Sequence, residues 1–173
     1  DVYKRQGINT DVSGNGGGAK LVVGGRIQSN AGGYWFTGAN GAEDGWHVQD
    51  SGGNLTVVES GVAERLRITS DGKFGFGTNS PDQTVHIHKG SAGSVSSTAN
   101  TVLTLENSTT NILQFLNPNN TAAQVRFGDP QDDGIGFIEY SHAANTMSFG
   151  VYGPTRMQLD SNGHLGLAVA SVT

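Results

Sequence analysis

The sequence predicts an all-β fold: two tandem repeats of short antiparallel strands and hairpins, rich in glycine. Three observations predict it. Glycine accounts for 27 of 173 residues, apolar and polar residues alternate in short runs, and we find no convincing helical periodicity. Charged residues make up 14% of the chain, whereas an ordinary soluble domain has about 25%, so a helical bundle rich in Glu and Lys is excluded.

The chain divides into six predicted segments. Residues 1–6 resemble a translated adaptor peptide found at the ends of metagenomic reading frames, and we expect them to be non-native. A flexible glycine-rich segment, a first β repeat, a linker, a second β repeat and a truncated end follow, at residues 7–18, 19–89, 90–100, 101–169 and 170–173. We therefore expect a fragment of a longer protein.

Period-two alternation predicts the strands of each repeat. In the first repeat the clearest runs are 54–59, 65–69 and 84–88. In the second repeat the predicted strands are 102–105, 112–116, 125–127, 137–140, 147–152 and 157–159.

The two repeats align at a constant offset of 91 residues. The segment 65–77 matches 156–168, with apolar residues on apolar residues and turn on turn. Asp71-Gly72 and Asn162-Gly163 occupy equivalent places, and such pairs favour a type I′ hairpin turn. Each repeat is therefore predicted to end in a hairpin.

The first copy carries a longer motif: Ser-Asp-Gly at 70–72, then an apolar-Gly-apolar-Gly-Thr step containing Gly75 and Gly77, then Ser80-Pro81 and a short apolar strand. This motif resembles the repeat region of phage tail-fibre and tailspike-like structural proteins, especially marine ones. There it often precedes an intramolecular chaperone domain. The second copy keeps Asn162, Gly163 and Gly166 but has Ala168 in place of the second glycine and no Ser-Pro.

The resemblance implies a non-catalytic structural segment of a phage tail fibre, located in the virion tail and involved in host attachment. Implied partners are other tail-fibre or baseplate proteins and a host surface glycan. Because the motif also occurs in bacterial surface proteins, the alternative is a receptor- or carbohydrate-binding part of a tailspike or of a bacterial surface adhesin.

We expect a parallel homotrimer, because each repeat has too few aliphatic residues for a substantial core of its own. Apolar residues that alternate around the two hairpins should supply the buried surface. They are Leu66, Ile68, Phe74, Phe76, Val85 and Ile87 in the first repeat and Met157, Leu159, Leu165 and Leu167 in the second. The net charge of −5 argues against nucleic acid or an anionic membrane as a partner.

Two groups of residues are candidate binding sites. His86 and His88 lie on one face of a predicted strand and could hold a transition metal in a trimer; the alternative is that both imidazoles face water. Tyr34, Trp35 and Trp46 could stack on sugar rings, although we favour them as core residues.

The remaining acidic and glycine-rich motifs predict no catalytic or ion site. The cluster at 129–134 is favoured as a solvated turn over a calcium site. Two pairs of carboxylates, Glu43 with Asp44 and Asp133 with Glu139, could in principle catalyse glycoside hydrolysis. Such pairs are expected by chance in a chain with so many acidic residues in turns. No nucleophile motif is present, and residues 14–20 lack phosphate-loop spacing. We therefore expect no enzyme activity and no cofactor.

Overall fold

A computed structural model describes residues 33–36 and 45–168. Within them all regular structure is β, which confirms the predicted fold class. The first sheet contains seven strands, β1 (Tyr34–Phe36), β2 (Trp46–Ser51), β3 (Asn54–Glu59), β4 (Ala63–Ile68), β5 (Phe74–Phe76), β6 (Val85–His88) and β7 (Leu103–Glu106). The second contains five, β8 (Ala122–Phe127), β9 (Gly136–Ser141), β10 (Thr146–Val151), β11 (Thr155–Leu159) and β12 (Leu165–Leu167).

Strands follow one another across each sheet in chain order. β1 to β5 form an antiparallel meander, and β8 to β12 form a second one. The first sheet is then extended by β6 and β7, which add in parallel. Two copies of a five-stranded meander are therefore present, and the first carries two further strands.

The terminal hairpins of the two meanders have the same register. Leu66 pairs with Phe76 in β4–β5, and Met157 pairs with Leu167 in β11–β12, an offset of 91 at both positions. A bulge interrupts β3–β4 and another interrupts β10–β11. The repeat detected in the sequence is thus a structural repeat.

The hairpin turns differ from the predicted type. The N–H of Gly72 donates to the carbonyl of Thr69 at 2.9 Å, and Gly72 has φ of +84°. Asp71 is not among the residues with positive φ, so a type I turn followed by a left-handed glycine replaces the predicted type I′ turn. Gly163 repeats this geometry with φ of +83°. The type I′ pattern occurs instead at Gly52-Gly53, where both φ values are positive between β2 and β3.

Two segments depart from the predicted strand layout. Residues 112–116 form no strand and are exposed, although their apolar run predicts one. β7, which we assigned to the second repeat, pairs with β6 of the first sheet, and the division between the two compact units falls after Asn111. The predicted segments 1–6, 7–18 and 170–173 lie outside the described residues.

Candidate functional site

An apolar face of the first sheet is open. The strand register places Leu66, Phe76 and Ile87 side by side on β4, β5 and β6, and Ile68, Phe74 and Val85 form the next row. Phe74, Phe76 and Ile87 are 38%, 44% and 44% exposed. No hydrophobic side chain is buried anywhere in the described part of the chain.

The second sheet has an equivalent open face. Leu159 pairs with Met147 and Leu165, and Met157 pairs with Phe149 and Leu167. An almost wholly apolar cavity of about 560 Å³ continues this face; its lining includes Phe127, Ile138 and Phe149. The ten residues predicted to form buried surface therefore lie on one face of each sheet, and in the single chain they are exposed or half-buried.

The closed face of the first sheet is polar. Among the described polar and charged side chains, the buried ones are His47, Thr56, His86 and Ser148, and the first three of them lie in this sheet. His86 is 3% exposed. Nδ1 of His86 accepts a hydrogen bond from the backbone N–H of Asp82 at 3.3 Å, and Nε2 of His86 lies 2.9 Å from the Glu106 carboxylate. This pair of contacts favours the tautomer with the proton on Nε2, which donates to Glu106.

Glu106 connects the imidazoles to the segment that covers them. Its carboxylate accepts from the backbone N–H of Ala92 at 2.7 Å and lies 3.9 Å from Nε2 of His88. The hydrogen bond from Ala92 lowers the pKa of Glu106 most, and the imidazoles of His88 and His86 lower it further against the opposing effect of desolvation. Sequence analysis missed Glu106, although β7 alternates and its last residue lies opposite His88.

Asp82 and Ser97 extend this polar cluster. The Asp82 carboxylate accepts from the Ser97 backbone N–H at 2.8 Å and from its hydroxyl at 3.3 Å. The Ser97 N–H is the main cause of the lowered pKa of Asp82. The Ser97 hydroxyl also lies 2.5 Å from that of Thr104. Because Ser97 bonds to Asp82 and Thr104 while His86 bonds to Asp82 and Glu106, the serine and the histidine do not form a nucleophile–base pair.

The geometry corrects one interpretation of the histidines. The alternative in which both imidazoles face water is wrong for His86, which residues 82, 92 and 97 help to enclose through these hydrogen bonds. Within the described residues no group of three or more His, Cys, Asp or Glu side chains is arranged to hold a metal ion. Metal binding by His86 and His88 stays a prediction about an assembled state.

The motif glycines and proline build one turn. A Cβ on Gly75 would lie 2.6 Å from the carbonyl oxygen of Thr78, and the buried Pro81 also approaches it. Gly77 has φ of +72°, and a Cβ on it would lie 2.5 Å from the carbonyl oxygen of His88. The motif therefore forms the connection from β5 to the parallel strand β6. Within this connection residues 78–81, the covering loop, pack directly on Gly75.

Two aromatic residues near the start of the first sheet are partly exposed. Tyr34 and Trp46 are 45% and 43% exposed, so the burial that we favoured is not reached within the single chain. Phe36, opposite Trp46, is also exposed. The side chain of Trp35 lies outside the described residues.

The acidic cluster forms a turn. The Asp129 carboxylate accepts from the backbone N–H groups of Gln131 and Asp132, both at 2.9 Å. Asp133 lies 3.8 Å from Arg126, whereas Glu139 accepts from Gln124. Asp133 and Glu139 thus have separate partners, and Glu43 and Asp44 lie outside the described residues.

Comparison with known proteins identifies no family for this chain: no protein-family model matches it, and no curated protein matches it significantly. The described residues contain no helix long and apolar enough to cross a membrane.

Proposed function

We propose that the chain is a non-catalytic structural segment of a phage tail fibre that takes part in host attachment as a parallel homotrimer. The observation that carries the proposal is the open apolar face on each sheet, in a chain with no buried hydrophobic side chain among its described residues. The motif from Ser70 to Pro81 supports the tail-fibre assignment. In this role the chain belongs to the virion tail, with other tail-fibre or baseplate proteins as neighbours.

The physical argument for assembly is the cost of leaving these faces in water. Fully burying one large apolar side chain contributes about 1.5–3 kcal/mol, and contiguous exposed apolar patches mark interaction surfaces. Three copies arranged around a common axis can turn the same face of each sheet inward and close the assembly. The same set of apolar side chains from each of the three chains then forms a shared core.

Sedimentation equilibrium of the full chain at micromolar concentration tests assembly. The expected mass is three times that of the 18.0 kDa chain, and the melting temperature should rise with protein concentration. A monomer that melts cooperatively at a concentration-independent temperature would refute the trimer.

One observation favours a second candidate, a carbohydrate-binding part of a tailspike or adhesin. Tyr34 and Trp46 present half-exposed aromatic rings, which can stack on sugars. A glycan-binding screen of the chain and its Trp46→Ala variant tests this candidate. Tyr152→Ala, in the second unit and 79% exposed, is the matched control. Assays on host polysaccharide test the non-catalytic part of the proposal, which measurable hydrolysis by the chain would contradict.

A further inference from the structure

Residues 112–116 are a short apolar segment with exposed side chains. They follow β7 and precede β8 in the chain, and they belong to neither sheet. Every residue of the segment except Gln114 is apolar, and these apolar side chains are between 49% and 83% exposed. Contiguous exposed apolar side chains mark an interaction surface, so the segment is a candidate contact that lies outside the two open faces.

The backbone of this segment is also unpaired. None of its N–H groups or carbonyls forms a hydrogen bond with a residue that the structure describes. The two flanking asparagines are fastened, since the Asn111 side chain donates to the carbonyl of Leu105 and the Asn117 side chain to that of Ala122. A partner that covered the apolar side chains would also remove water from these backbone groups, which must then form new hydrogen bonds. The partner must therefore supply unpaired backbone of its own.

The absence of charge indicates which partner fits. Between Glu106 and Arg126 the chain carries no charged residue and no histidine. When identical chains pair in parallel and in register, each residue meets its own equivalent, and like charges placed opposite each other destabilise the pair. A second copy of the segment avoids this repulsion and brings the same unpaired backbone and the same apolar side chains. Pro118 has no N–H, so it would end such a pairing soon after the segment.

We propose that residues 112–116 are a self-recognition segment, which pairs in parallel and in register with the same segment of a second copy of this chain. Main-chain hydrogen bonds between the copies would satisfy the free backbone groups, as in other cases of strand addition, while the contact buries the apolar side chains. The inference rests on the proposed self-association of the chain. It does not depend on the number of copies, because two segments are enough to form the pair.

Disulfide cross-linking tests the register. The chain contains no cysteine, so Gln114→Cys introduces a single thiol at the exposed centre of the segment. Paired strands lie about 4.8 Å apart, which is within reach of a disulfide, so oxidation should produce covalent dimers on a non-reducing gel. Ser161→Cys, at an exposed turn position in the second unit, is the control and should stay uncross-linked at the same concentration.

Leu113→Asp tests the contribution of the segment to association. Sedimentation equilibrium over a concentration series should show association weakened by roughly tenfold or more, because the contact loses a large apolar side chain and would bury a charge. The far-UV circular dichroism should not change, since Leu113 is mostly exposed in the single chain. Val62→Asp is the matched control: Val62 is 64% exposed against 62% for Leu113, lies between β3 and β4, and should associate as the unaltered chain does.

The outcomes separate this inference from the proposed trimer. A trimer in which Gln114→Cys cross-links no more than Ser161→Cys, or in which Leu113→Asp associates as well as Val62→Asp, would overturn the inference and leave the trimer standing. The segment would then belong to a partner other than this chain. A dimer that shows both expected effects would support the segment contact and refute the trimer. A chain that stays monomeric at every concentration would overturn both.

Discussion

The hydroxyl oxygen of Thr69 and the carboxylate of Asp160 accept the same hydrogen bond in the two hairpins. Thr69 accepts from the backbone N–H of Lys73 and Asp160 from that of His164, each at 2.8 Å. The backbone N–H of Thr69 and of Asp160 returns a bond to the carbonyl of the same partner, at 2.9 and 3.0 Å. Two different side chains thus close the same turn, which explains why the repeat persists where residue identity does not.

Removing the Thr69 acceptor should weaken the first hairpin. Thr69→Val keeps the shape of the side chain but leaves the N–H of Lys73 without this acceptor, so we expect a loss of about 1 kcal/mol in the free energy of unfolding. Thr69→Asp introduces the acceptor found at Asp160 and should cost much less. Urea denaturation at fixed protein concentration measures both, and equal losses would contradict the assigned role.

The left-handed turn glycines should resist substitution by β-branched residues. Gly72 and Gly163 have φ of +84° and +83°, a conformation that costs a side-chain-bearing residue about 1–2 kcal/mol. Gly72→Val and Gly163→Val should each lower stability by about this amount, measured by thermal unfolding. Gly72→Asn is the control and should be milder, because Asn tolerates positive φ; an Asn variant as unstable as the Val variant would count against backbone strain as the cause.

The paired glycines Gly75 and Gly166 should respond differently to the same change. Gly75→Val places a Cβ 2.6 Å from the Thr78 carbonyl and should cost about 1–3 kcal/mol through overpacking. Gly166→Val should leave the melting temperature nearly unchanged. Differential scanning calorimetry compares the two variants, and equal destabilisation would mean that the covering loop is not the reason for glycine at 75.

An acidic residue on the apolar face should prevent assembly without unfolding the chain. Ile68 is half-buried on this face, so Ile68→Asp puts a carboxylate where assembly would desolvate it without a partner. We expect sedimentation velocity to show a monomer. Ser70→Asp, at an exposed turn position, is the control and should assemble normally. A trimer formed by Ile68→Asp would place the contact surface elsewhere.

Acidification should weaken the first unit partly through Glu106. Its pKa is lower in the folded chain than the ordinary value of 4.5, so the folded state favours the charged form. The stabilisation is complete above that ordinary value and is lost as the pH falls through the lowered pKa. Thermal melts of the chain and of Glu106→Gln across this range measure it. The stability gap between the two should narrow as the pH falls, and a constant gap would assign the acid sensitivity to other carboxylates.

Alternation and glycine content were enough to predict the fold class, because period two is the direct signature of a pleated strand. The 91-residue repeat predicted that the hairpins at 65–77 and 156–168 are equivalent, and the observed pairs Leu66–Phe76 and Met157–Leu167 are equivalent at that offset. Alternation identifies which residues share a face, but it does not identify which face is covered. Val85 and Ile87 therefore suggested that His86 faces water, whereas Glu106 and the segment from Ala92 to Ser97 enclose it.

Other differences have equally specific causes. The run 112–116 is apolar but exposed, because an apolar run alone does not supply a neighbouring strand with which to pair. Parallel addition of β6 and β7 depends on contacts distant in sequence, such as that between Val85 and Val102, and no local pattern encodes them. The predicted turn type is wrong because the Asp-Gly pair is compatible both with a type I′ turn and with a type I turn followed by a left-handed glycine.

The polar closed face has a consequence for the order of events in folding. Strand order and register in the first sheet are set by interactions within one chain: the hairpin turns, the seat on Gly75 and the bonds of His86, Asp82 and Glu106. The open apolar face contributes little stabilising free energy until it is buried. A single chain can therefore set its own strand order and register before any assembly. The interactions that specify the fold are thus different from the apolar contacts that would supply most of its stabilising free energy.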